Sequence, residues 1–183
     1  MPLERVMVIG TTGSGKTTFA TRLAGMLKVP HIELDAIHWQ PGWKPLPEDE
    51  FRRRVSQATS APAWVCDGGY HAVRDLTWGR ADTVIWLDFS FPFIFWRLLR
   101  RTVRRSWTRE ELWAGNRESW RQSFFSRDSI LLWLLRSYRR RRRQYPQLLW
   151  LPDFAHLKVF RFQRPADAEA WLESLKERME VMS

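Results

Sequence analysis

The fold of this 183-residue chain is decided by one stretch, Val6-Met7-Val8-Ile9-Gly10-Thr11-Thr12-Gly13-Ser14-Gly15-Lys16-Thr17. Four apolar residues open it, which is typical of a central parallel strand covered on both faces. A glycine-rich turn and the start of a helix follow. The turn carries the pattern G-x-x-x-x-G-K-[ST], the P-loop signature of phosphate binding. Because a strand precedes this turn and a helix follows it, the sequence predicts a nucleoside triphosphate site.

Each residue type in the loop has a physical role in binding phosphate. Gly10, Gly13 and Gly15 permit positive φ angles and let backbone N–H groups approach an anion at a helix N-terminus. Lys16 is expected to act catalytically at the β- and γ-phosphates, and the Thr17 hydroxyl is expected to bind Mg²⁺. The residues predicted to hold the nucleotide are Gly10, Thr12, Gly13, Ser14, Gly15, Lys16, Thr17 and Thr18.

Positive charge is concentrated in one segment of the chain. The formal net charge is +10, and residues 91–143 hold fifteen arginines against four acidic residues. A patch of this kind fits a nucleic acid, an anionic membrane or a polyphosphate substrate. The hydrophobic fraction of 44% is typical of a globular chain, and at this length it predicts one domain over residues 1–183.

The cysteine count and the length of the apolar runs bear on where in the cell the protein is expected. Cys66 is the only cysteine, so no intramolecular disulfide can form, which suits the reducing cytoplasm where we expect the protein. The apolar run Val6–Ile9 is too short for a signal peptide, and Ile130–Leu135 is far shorter than a membrane span. We therefore expect no membrane partner.

Predicted strands and helices alternate along the chain, which favours a parallel α/β sheet with right-handed crossovers. Beyond the first strand, strands are predicted at His31–Asp35, Ala63–Asp67, Thr83–Asp88 and Leu157–Phe162. Helices are predicted at Lys16–Leu27, from Pro47, at Pro92–Arg105, at Ile130–Arg143 and at Pro165–Met179. Ligands of such sheets bind at the carboxyl ends of the strands.

Three aspartates close predicted strands. Asp67 stands where a P-loop protein needs a carboxylate for Mg²⁺, and Asp88 competes for that role. Asp67 is favoured because the glycines that follow it leave backbone room near phosphates. Asp35 is a candidate catalytic residue that accepts a proton from an attacking hydroxyl or orients it. For each aspartate, the alternative is a helix cap or an ordinary loop carboxylate.

Residues 36–45 form a predicted loop that is rich in tryptophan and proline. Flat faces of Trp39 and Trp43 suit stacking on a base or sugar, while packing against a neighbouring helix is the equal alternative. His38 lies close to Asp35 in sequence, but a single histidine of this kind is more often structural.

Two arginines are expected to be catalytic. Arg97 and Arg101 are four residues apart on one helix face, where guanidinium groups can neutralise charge on a transferring phosphoryl group. Arg136 is a further candidate, whereas the run Arg139–Arg143 is expected to be solvated or bound to something anionic. The basic surface continues at Arg100, Arg104 and Arg105.

Together these features resemble the nucleotide kinase-like P-loop group, and in particular the adenylate-kinase-related proteins called DNA topology modulation proteins. The resemblance covers residues 6–175. The features that carry it are the P-loop, Asp35 with its tryptophan-rich loop, residues 65–70, the strand ending at Asp88, and the pair Arg97 and Arg101. It implies the three-layer P-loop NTPase fold, a five-stranded parallel sheet in the order 2-3-1-4-5, ATP and Mg²⁺, and an arginine-rich helical lid inserted at about residues 106–137.

The resemblance is weakest on the acceptor side. Adenylate kinases follow the third strand with Asp-Gly-Phe-Pro-Arg, whereas Asp67-Gly68 is followed here by Gly69-Tyr70-His71. AMP is therefore in doubt as an acceptor, although Arg74 is a possible substitute for the missing arginine. Asp35 resembles the acceptor-hydroxyl aspartate of shikimate and gluconate kinases. Arg97 and Arg101 resemble the paired arginines that open the lid of adenylate kinases and contact ATP.

Two functions follow from these patterns. The first is an ATP-dependent kinase that phosphorylates a small molecule, with a nucleotide or nucleoside as the expected acceptor. The second is an ATP-dependent nucleic-acid-binding or regulatory protein that uses the basic segment and its interleaved tryptophans. A GTPase is disfavoured because the guanine-reading motif N/T-K-x-D is absent. The sequence leaves the oligomeric state open.

Overall fold

The computed structural model describes residues 3–108, 111–116 and 130–182. The strands are β1 (Arg5–Gly10), β2 (His31–Glu33), β3 (Trp39–Gln40), β4 (Lys44–Pro45), β5 (Trp64–Asp67), β6 (Thr83–Leu87) and β7 (Lys158–Phe162). The helices are α1 (Lys16–Leu27), α2 (Leu34–His38), α3 (Glu48–Ala58), α4 (Arg74–Thr77), α5 (Phe91–Thr108), α6 (Ile130–Leu149) and α7 (Pro165–Met182).

Five parallel strands form the main sheet in the order β2-β5-β1-β6-β7. Counted along the sheet-forming strands, this is the predicted order 2-3-1-4-5. The P-loop strand β1 lies at the centre, with Met7 opposite Cys66 on one side and Val84 on the other. Because β1 is hydrogen-bonded on both edges, five of its six residues are buried. This burial explains the continuous apolar run Val6–Ile9.

Two hydrophobic cores cover the two faces of the sheet. Side chains alternate along a strand, so Val6 and Val8 face one core while Met7 and Ile9 face the other. The first core also contains Phe19 and other residues of α1, α5 and α7. The second contains residues of α3, together with Tyr145 of α6 and several aromatic side chains. The result is three layers, with the P-loop at the carboxyl edge of the middle one.

The predicted second strand is wrong at its carboxyl end. It stops at Glu33, and Asp35 lies in the first turn of α2. Leu34 is fully buried, and Ile37, three residues later, also packs on the core, so the local spacing is helical. As β2 pairs only with β5 over three residues, little holds the chain extended any further.

The predicted tryptophan-rich loop is also more ordered than expected. After α2, strands β3 and β4 form an antiparallel hairpin in which Trp39 pairs with Pro45 and Gln40 with Lys44. The tight turn of residues 41–43 joins them, with positive φ angles at Gly42 and Trp43.

The boundaries of the predicted lid do not coincide with the helices. Helix α5 continues to Thr108, and α6 runs from Ile130 to Leu149, so both ends of the segment 106–137 lie within helices. Residues 109–110 and 117–129 of that segment lie outside the described residues. In the described part of the chain, every helix is too short or too polar to cross a lipid bilayer.

Candidate active site

A cleft of about 1790 Å³ lies at the carboxyl edge of the sheet, where β1, β2 and β5 end. The P-loop forms its floor, and the hairpin β3–β4, the loop after β5 and helices α5 and α6 form its walls. The predicted site residues that line the cleft are Thr12, Gly13, Gly15, Lys16, Thr17, Thr18, Asp35, Arg97 and Arg101. The fold therefore brings most of the candidates into one cavity, with Asp67 directly beneath Thr17 and Ser14 buried in the loop.

The turn of the P-loop depends on a glycine next to an arginine. Gly15 has a φ of +91°, which side chains with a Cβ rarely adopt, and it precedes the first residue of α1. A Cβ at this position would lie 2.6 Å from the Arg97 Nη2. Gly15 is thus favoured by its backbone conformation, and the guanidinium group of Arg97 on α5 lies directly beside the loop at this point.

Lys16 lies in a strongly positive environment. Its ammonium group donates to the Thr11 carbonyl oxygen over 3.3 Å. Burial, followed by the positive charge of Arg141, lowers the pKa of Lys16 from 10.5 to about 8, against the opposing effect of nearby carboxylates. The cleft thus holds more positive charge than its own acids neutralise, which fits an anionic ligand such as a triphosphate.

Arg141 was not among the predicted site residues. It belongs to the run Arg139–Arg143, for which the sequence predicts solvent exposure or binding to something anionic, and its Nη1 donates to the Gly10 carbonyl oxygen at 3.1 Å. Arg140 also lines the cleft, and its guanidinium lies 5.8 Å from the Trp133 ring. From the sequence, the position of Arg141 could have been inferred only from the 3.6-residue helical period, because this period places one face of a basic helix towards the P-loop.

The candidate metal ligands are brought together by the ends of two strands, β2 and β5, and by the first turn of helix α1. The Thr17 hydroxyl lies 3.1 Å from Asp67 Oδ1 and 3.3 Å from Glu33 Oε1. Hydroxyl and carboxylate oxygens are the ligands that Mg²⁺ prefers. Burial, together with the charges of Asp67 and Asp35, raises the pKa of Glu33, although a hydrogen bond from the Trp113 side chain opposes this. These residues fit a hard cation, which would relieve the repulsion between the carboxylates.

Glu33 also lines the cleft, although it is not among the site residues predicted from the sequence. It ends β2 and lies opposite Asp67 in the register of β2 and β5. The sequence contained a signal, since Glu33 is an acidic residue two positions before Asp35, on the same face of an extended strand. Because the predicted strand ended at Asp35, Glu33 was not identified as the last residue of the strand.

Asp67 is held from its other side. Its carboxylate is almost completely buried, and Oδ2 lies 2.8 Å from His31 Nε2. His31 Nδ1 in turn lies 3.3 Å from the Thr21 hydroxyl on α1. The carboxylate that faces Thr17 is therefore fixed in orientation by a second set of hydrogen bonds.

Asp88, the competing candidate, is engaged elsewhere. Its carboxylate accepts from Arg161 Nη2 at 2.5 Å and from Arg142 Nε at 3.0 Å. These ion pairs tie the end of β6 to β7 and α6. The geometry therefore favours Asp67 over Asp88 as the carboxylate beside the P-loop hydroxyl.

Asp35 is held by the loop that follows β5. The Tyr70 hydroxyl donates to Asp35 Oδ1 over 2.5 Å, and the Trp39 side chain hydrogen-bonds to Tyr70. Burial and the negative charge of Asp35 raise the pKa of the Tyr70 hydroxyl, so Tyr70 stays a donor. The Tyr70 ring packs on His38 and Phe51, with centroid distances of 4.5 and 5.2 Å. His38 is therefore part of the aromatic packing around this pair.

Three tryptophan side chains form an aromatic wall along the cleft. Trp39 and Trp43 lie edge to face at 5.7 Å, and Trp43 meets Trp113 at 6.3 Å. All three line the cleft, so they pack against one another and also present surface to a ligand. Asn116 fixes this arrangement, since its side chain accepts from the Trp43 N–H at 3.0 Å and donates to the Gln40 carbonyl at 2.9 Å.

Of the remaining candidate arginines, most line the cleft and Arg136 lies outside its described lining. Arg74 lines the cleft, and its guanidinium lies 5.4 Å from the Trp78 ring. Arg136 is exposed and lies outside the set of described residues that line the cleft. Three further arginines of α5 join Arg97 and Arg101 along the cleft, namely Arg100, Arg104 and Arg105.

Comparisons with known proteins agree on the fold. The structure is similar to a shikimate kinase from Acinetobacter baumannii in complex with shikimate, with a TM-score of 0.55 and 19% identity over 99% of this chain and 95% of that chain. It is also similar to a gluconokinase from Sinorhizobium meliloti 1021, with a TM-score of 0.52 and 19% identity over 99% and 98% of the two chains. No protein-family model matches the sequence, and no curated protein matches it.

At this level of identity the similarity establishes the shared fold. The chain has the three-layer α/β fold of P-loop NTPases, as the sequence predicted, and it spans nearly the full length of both solved structures. The specific relation to DNA topology modulation proteins has no counterpart among these matches. What the chain does must therefore be argued from its own cleft.

Proposed function

We propose that this protein is an ATP-dependent kinase that transfers the γ-phosphoryl group to a hydroxyl or phosphate of a small molecule. The observation that carries the proposal is one cleft that contains both the P-loop and a fixed carboxylate, Asp35, whose negative charge acts on Lys16. A protein that only binds or hydrolyses ATP has no need for a second, enclosed half-site. The small-molecule kinases among the structural neighbours support the same reaction class.

On the donor side, the phosphates of ATP would lie along the P-loop backbone and the first turn of α1. Thr17 and Asp67, with Glu33 nearby, would hold Mg²⁺, which supplies charge neutralisation at the β- and γ-phosphates. Lys16, Arg97 and Arg101 are the cations proposed to stabilise the negative charge on the transferring group. Their preorganisation in the folded protein means that little rearrangement is required during the reaction.

On the acceptor side, Asp35 is proposed to orient the attacking hydroxyl and accept its proton. The acceptor oxygen forms a bond to the γ-phosphorus as the bond to the leaving ADP oxygen breaks. Tyr70 acts through Asp35, because its hydrogen bond holds the carboxylate in one orientation, and Trp39 in turn hydrogen-bonds to Tyr70. They are positioning residues in this scheme.

The proposed acceptor is a nucleotide or nucleoside. Trp39, Trp43 and Trp113 offer flat surfaces for a planar ring, and each base has a π-face that stacks on such side chains. Arg74 and Arg140 also line the cleft and add positive charge to it, which suits a phosphate-bearing acceptor. A relation to adenylate-kinase-related proteins remains part of this proposal.

We also propose that residues 106–137 act as the lid over this cleft. In the described parts of that segment, Trp113 and Trp133 line the cleft. Arg104 and Arg105, which come just before the segment, line it as well. Closure over bound substrates would exclude water and limit the wasteful hydrolysis of ATP.

The second hypothesis, a nucleic-acid-binding protein, has less support. Seven arginines of the basic segment line the cleft, so a polyphosphate ligand accounts for much of its charge: Arg97, Arg100, Arg101, Arg104, Arg105, Arg140 and Arg141. The oligomeric state is not addressed by either hypothesis.

A coupled ADP-release assay tests the proposal. Wild type would be compared with Lys16→Ala and with Asp35→Asn over a panel of nucleosides, nucleotides, sugars and sugar acids. We expect at least one acceptor to raise ADP release well above the rate with ATP and Mg²⁺ alone, and both variants to lose that increase. Only Lys16→Ala should also weaken ATP binding. If no acceptor exceeds the basal rate while duplex DNA binds with a steep salt dependence, the second hypothesis replaces the first.

A further inference from the structure

Helix α5 carries an apolar surface that faces away from the cleft. Trp96, Leu99, Val103 and Trp107 follow one another at spacings of three and four residues, so they form a continuous stripe about 16 Å long. Trp96 is 60% exposed and Trp107 is 80% exposed, which is far more than tryptophan usually shows in a folded protein. We call this surface the α5 stripe.

The α5 stripe adjoins the cleft, since Arg100 and Arg104 line both, but its four apolar residues lie outside the cleft lining. The opposite side of α5 is buried through Ile94 and Leu98, whose side chains lie within 3.2 Å of a Cβ built at Gly13. Trp96 and Leu98 lie about 200° apart around the helix axis. A partner on the α5 stripe would therefore leave the contacts between α5 and the P-loop intact.

Positive charge flanks the stripe along one side. Arg100 and Arg104 border, with the stripe, a shallow hollow of about 430 Å³ whose remaining lining is almost entirely apolar. The same helix carries Arg97, Arg101 and Arg105, and Asp or Glu is absent from α5. An apolar strip beside a row of arginines is the pattern of a helix that lies in the interface of an anionic lipid bilayer.

We propose that the α5 stripe binds the surface of an anionic membrane. Tryptophan rings favour the level of the lipid headgroups, where their apolar body is buried and their N–H remains hydrated. Leu99 and Val103 would enter the acyl boundary between the two tryptophans, and the guanidinium groups would contact lipid phosphates. The expectation that no membrane takes part rested on the lack of a spanning segment, and surface binding does not require one.

Two other occupants fit the stripe less well. A second copy of this chain would bring its own Arg100 and Arg104 towards the same arginines, and the basic segment as a whole repels itself. A nucleic acid would use the arginines, but Trp96 and Trp107 are too far apart to stack on neighbouring bases. The aliphatic side chains of Leu99 and Val103 between them would gain nothing from a phosphate backbone.

The experiment is a vesicle sedimentation assay on the full chain. Wild type is compared with the double variant Trp96→Ser/Trp107→Ser and with the control Trp150→Ser, which removes a tryptophan that is 87% exposed but lies outside α5. Vesicles contain either phosphatidylcholine alone or equal parts of phosphatidylcholine and phosphatidylglycerol. Thermal unfolding checks that each variant folds, which we expect since the substituted side chains are exposed.

We expect wild type and Trp150→Ser to sediment with the anionic vesicles and not with phosphatidylcholine alone. The double variant should lose at least about tenfold in partitioning, and ATP binding should be equal in all three proteins. Equal sedimentation of the double variant would overturn the proposal, as would equal binding to both kinds of vesicle. If only duplex DNA or self-association depends on the two tryptophans, the stripe belongs to a nucleic acid or to a second copy, and the membrane proposal is wrong.

Discussion

The two ends of the cleft are built in different ways. The donor end is one continuous segment, residues 10–18, whose conformation depends on its own glycines and on the start of α1. The acceptor end is assembled from α2, the hairpin β3–β4, the loop after β5 and residues 111–116. Its key contacts join side chains far apart in sequence, such as Tyr70 with Asp35.

This difference predicts that the donor end tolerates fewer substitutions than the acceptor end. A phosphate cradle made of backbone N–H groups tolerates few alternatives, since the loop must follow the shape of the ligand. A pocket made of side chains from four segments can change its chemistry by single substitutions. Tyr70 illustrates this, because its single hydroxyl supplies the hydrogen bond that holds Asp35.

The largest effect is expected at the donor end, from Lys16→Met. Phosphoryl transfer should fall by about 10³-fold in kcat/KM, because the charge closest to the P-loop phosphates is lost. The measurement is the coupled ADP-release assay with the best acceptor. Lys176→Met on the exposed side of α7 is the matched control and should keep full activity. A Lys16→Met enzyme within tenfold of wild type would contradict the donor assignment.

The next effect separates two buried aspartates. Asp67→Asn should lower activity by about 10²-fold and raise the Mg²⁺ concentration that is required, because it weakens the carboxylate beside Thr17. Asp88→Asn should keep activity within about threefold. It should instead lower the free energy of unfolding by about 1–3 kcal/mol, since Arg142 and Arg161 lose their partner. Mg²⁺ titrations and urea unfolding distinguish these outcomes, and an exchange of the two phenotypes would reverse the assignment.

At the acceptor end, Tyr70→Phe should lower kcat about tenfold while the KM for ATP stays unchanged. The reason is that Asp35 loses the hydrogen bond that orients it. Tyr138→Phe removes a hydroxyl that bonds to the Phe89 carbonyl at 3.2 Å, and it should leave kcat unchanged. A rise in the KM for ATP in Tyr70→Phe would show that the two ends of the cleft are not separate.

A smaller effect is expected from Asn116→Ala. This change removes the hydrogen bonds that fix residues 111–116 to the hairpin, so the aromatic wall should loosen. We expect the KM for the acceptor to rise about fivefold with little change for ATP. Gln163→Ala, at an exposed position after β7, is the control. An unchanged acceptor KM would exclude the aromatic wall from acceptor binding.

The smallest effect concerns stability and pH. Because the pKa of Lys16 is lowered from 10.5 to about 8, the unfolded chain binds this proton more tightly than the folded protein. Below about pH 8 the charged lysine therefore costs folding free energy, and this cost disappears as the pH rises towards 10.5. Lys16→Met should be more stable than wild type by about 1–2 kcal/mol at pH 7, with the difference shrinking by pH 10. Urea unfolding of both proteins at both pH values measures this, with Lys176→Met as the control, and a wild type more stable at pH 7 would contradict it.

The strands of the sheet were predictable because they depend on local patterns, whereas their order was predicted only through the resemblance to P-loop kinases. Apolar runs marked the strands, glycines and prolines marked their ends, and the P-loop fixed where the first strand meets the first helix. The errors arose where two local patterns compete. Leu34 and Ile37 satisfy a helical spacing, while the residues just before them satisfy a strand, and packing against the core decided between the two.

The sequence by itself determined the phosphate cradle, because the turn at Gly15 and the charge at Lys16 lie within eight consecutive residues. Only the tertiary structure decided which other groups reach it. Arg141 contacts the Gly10 carbonyl across 131 positions, and Glu33 meets Thr17 because β2 ends beside β5. No local pattern encodes such contacts, since they depend on the register of strands and the rotation of a helix. The phosphate cradle of the donor end could therefore be predicted from the sequence, whereas the contacts that build the acceptor end depend on the folded chain.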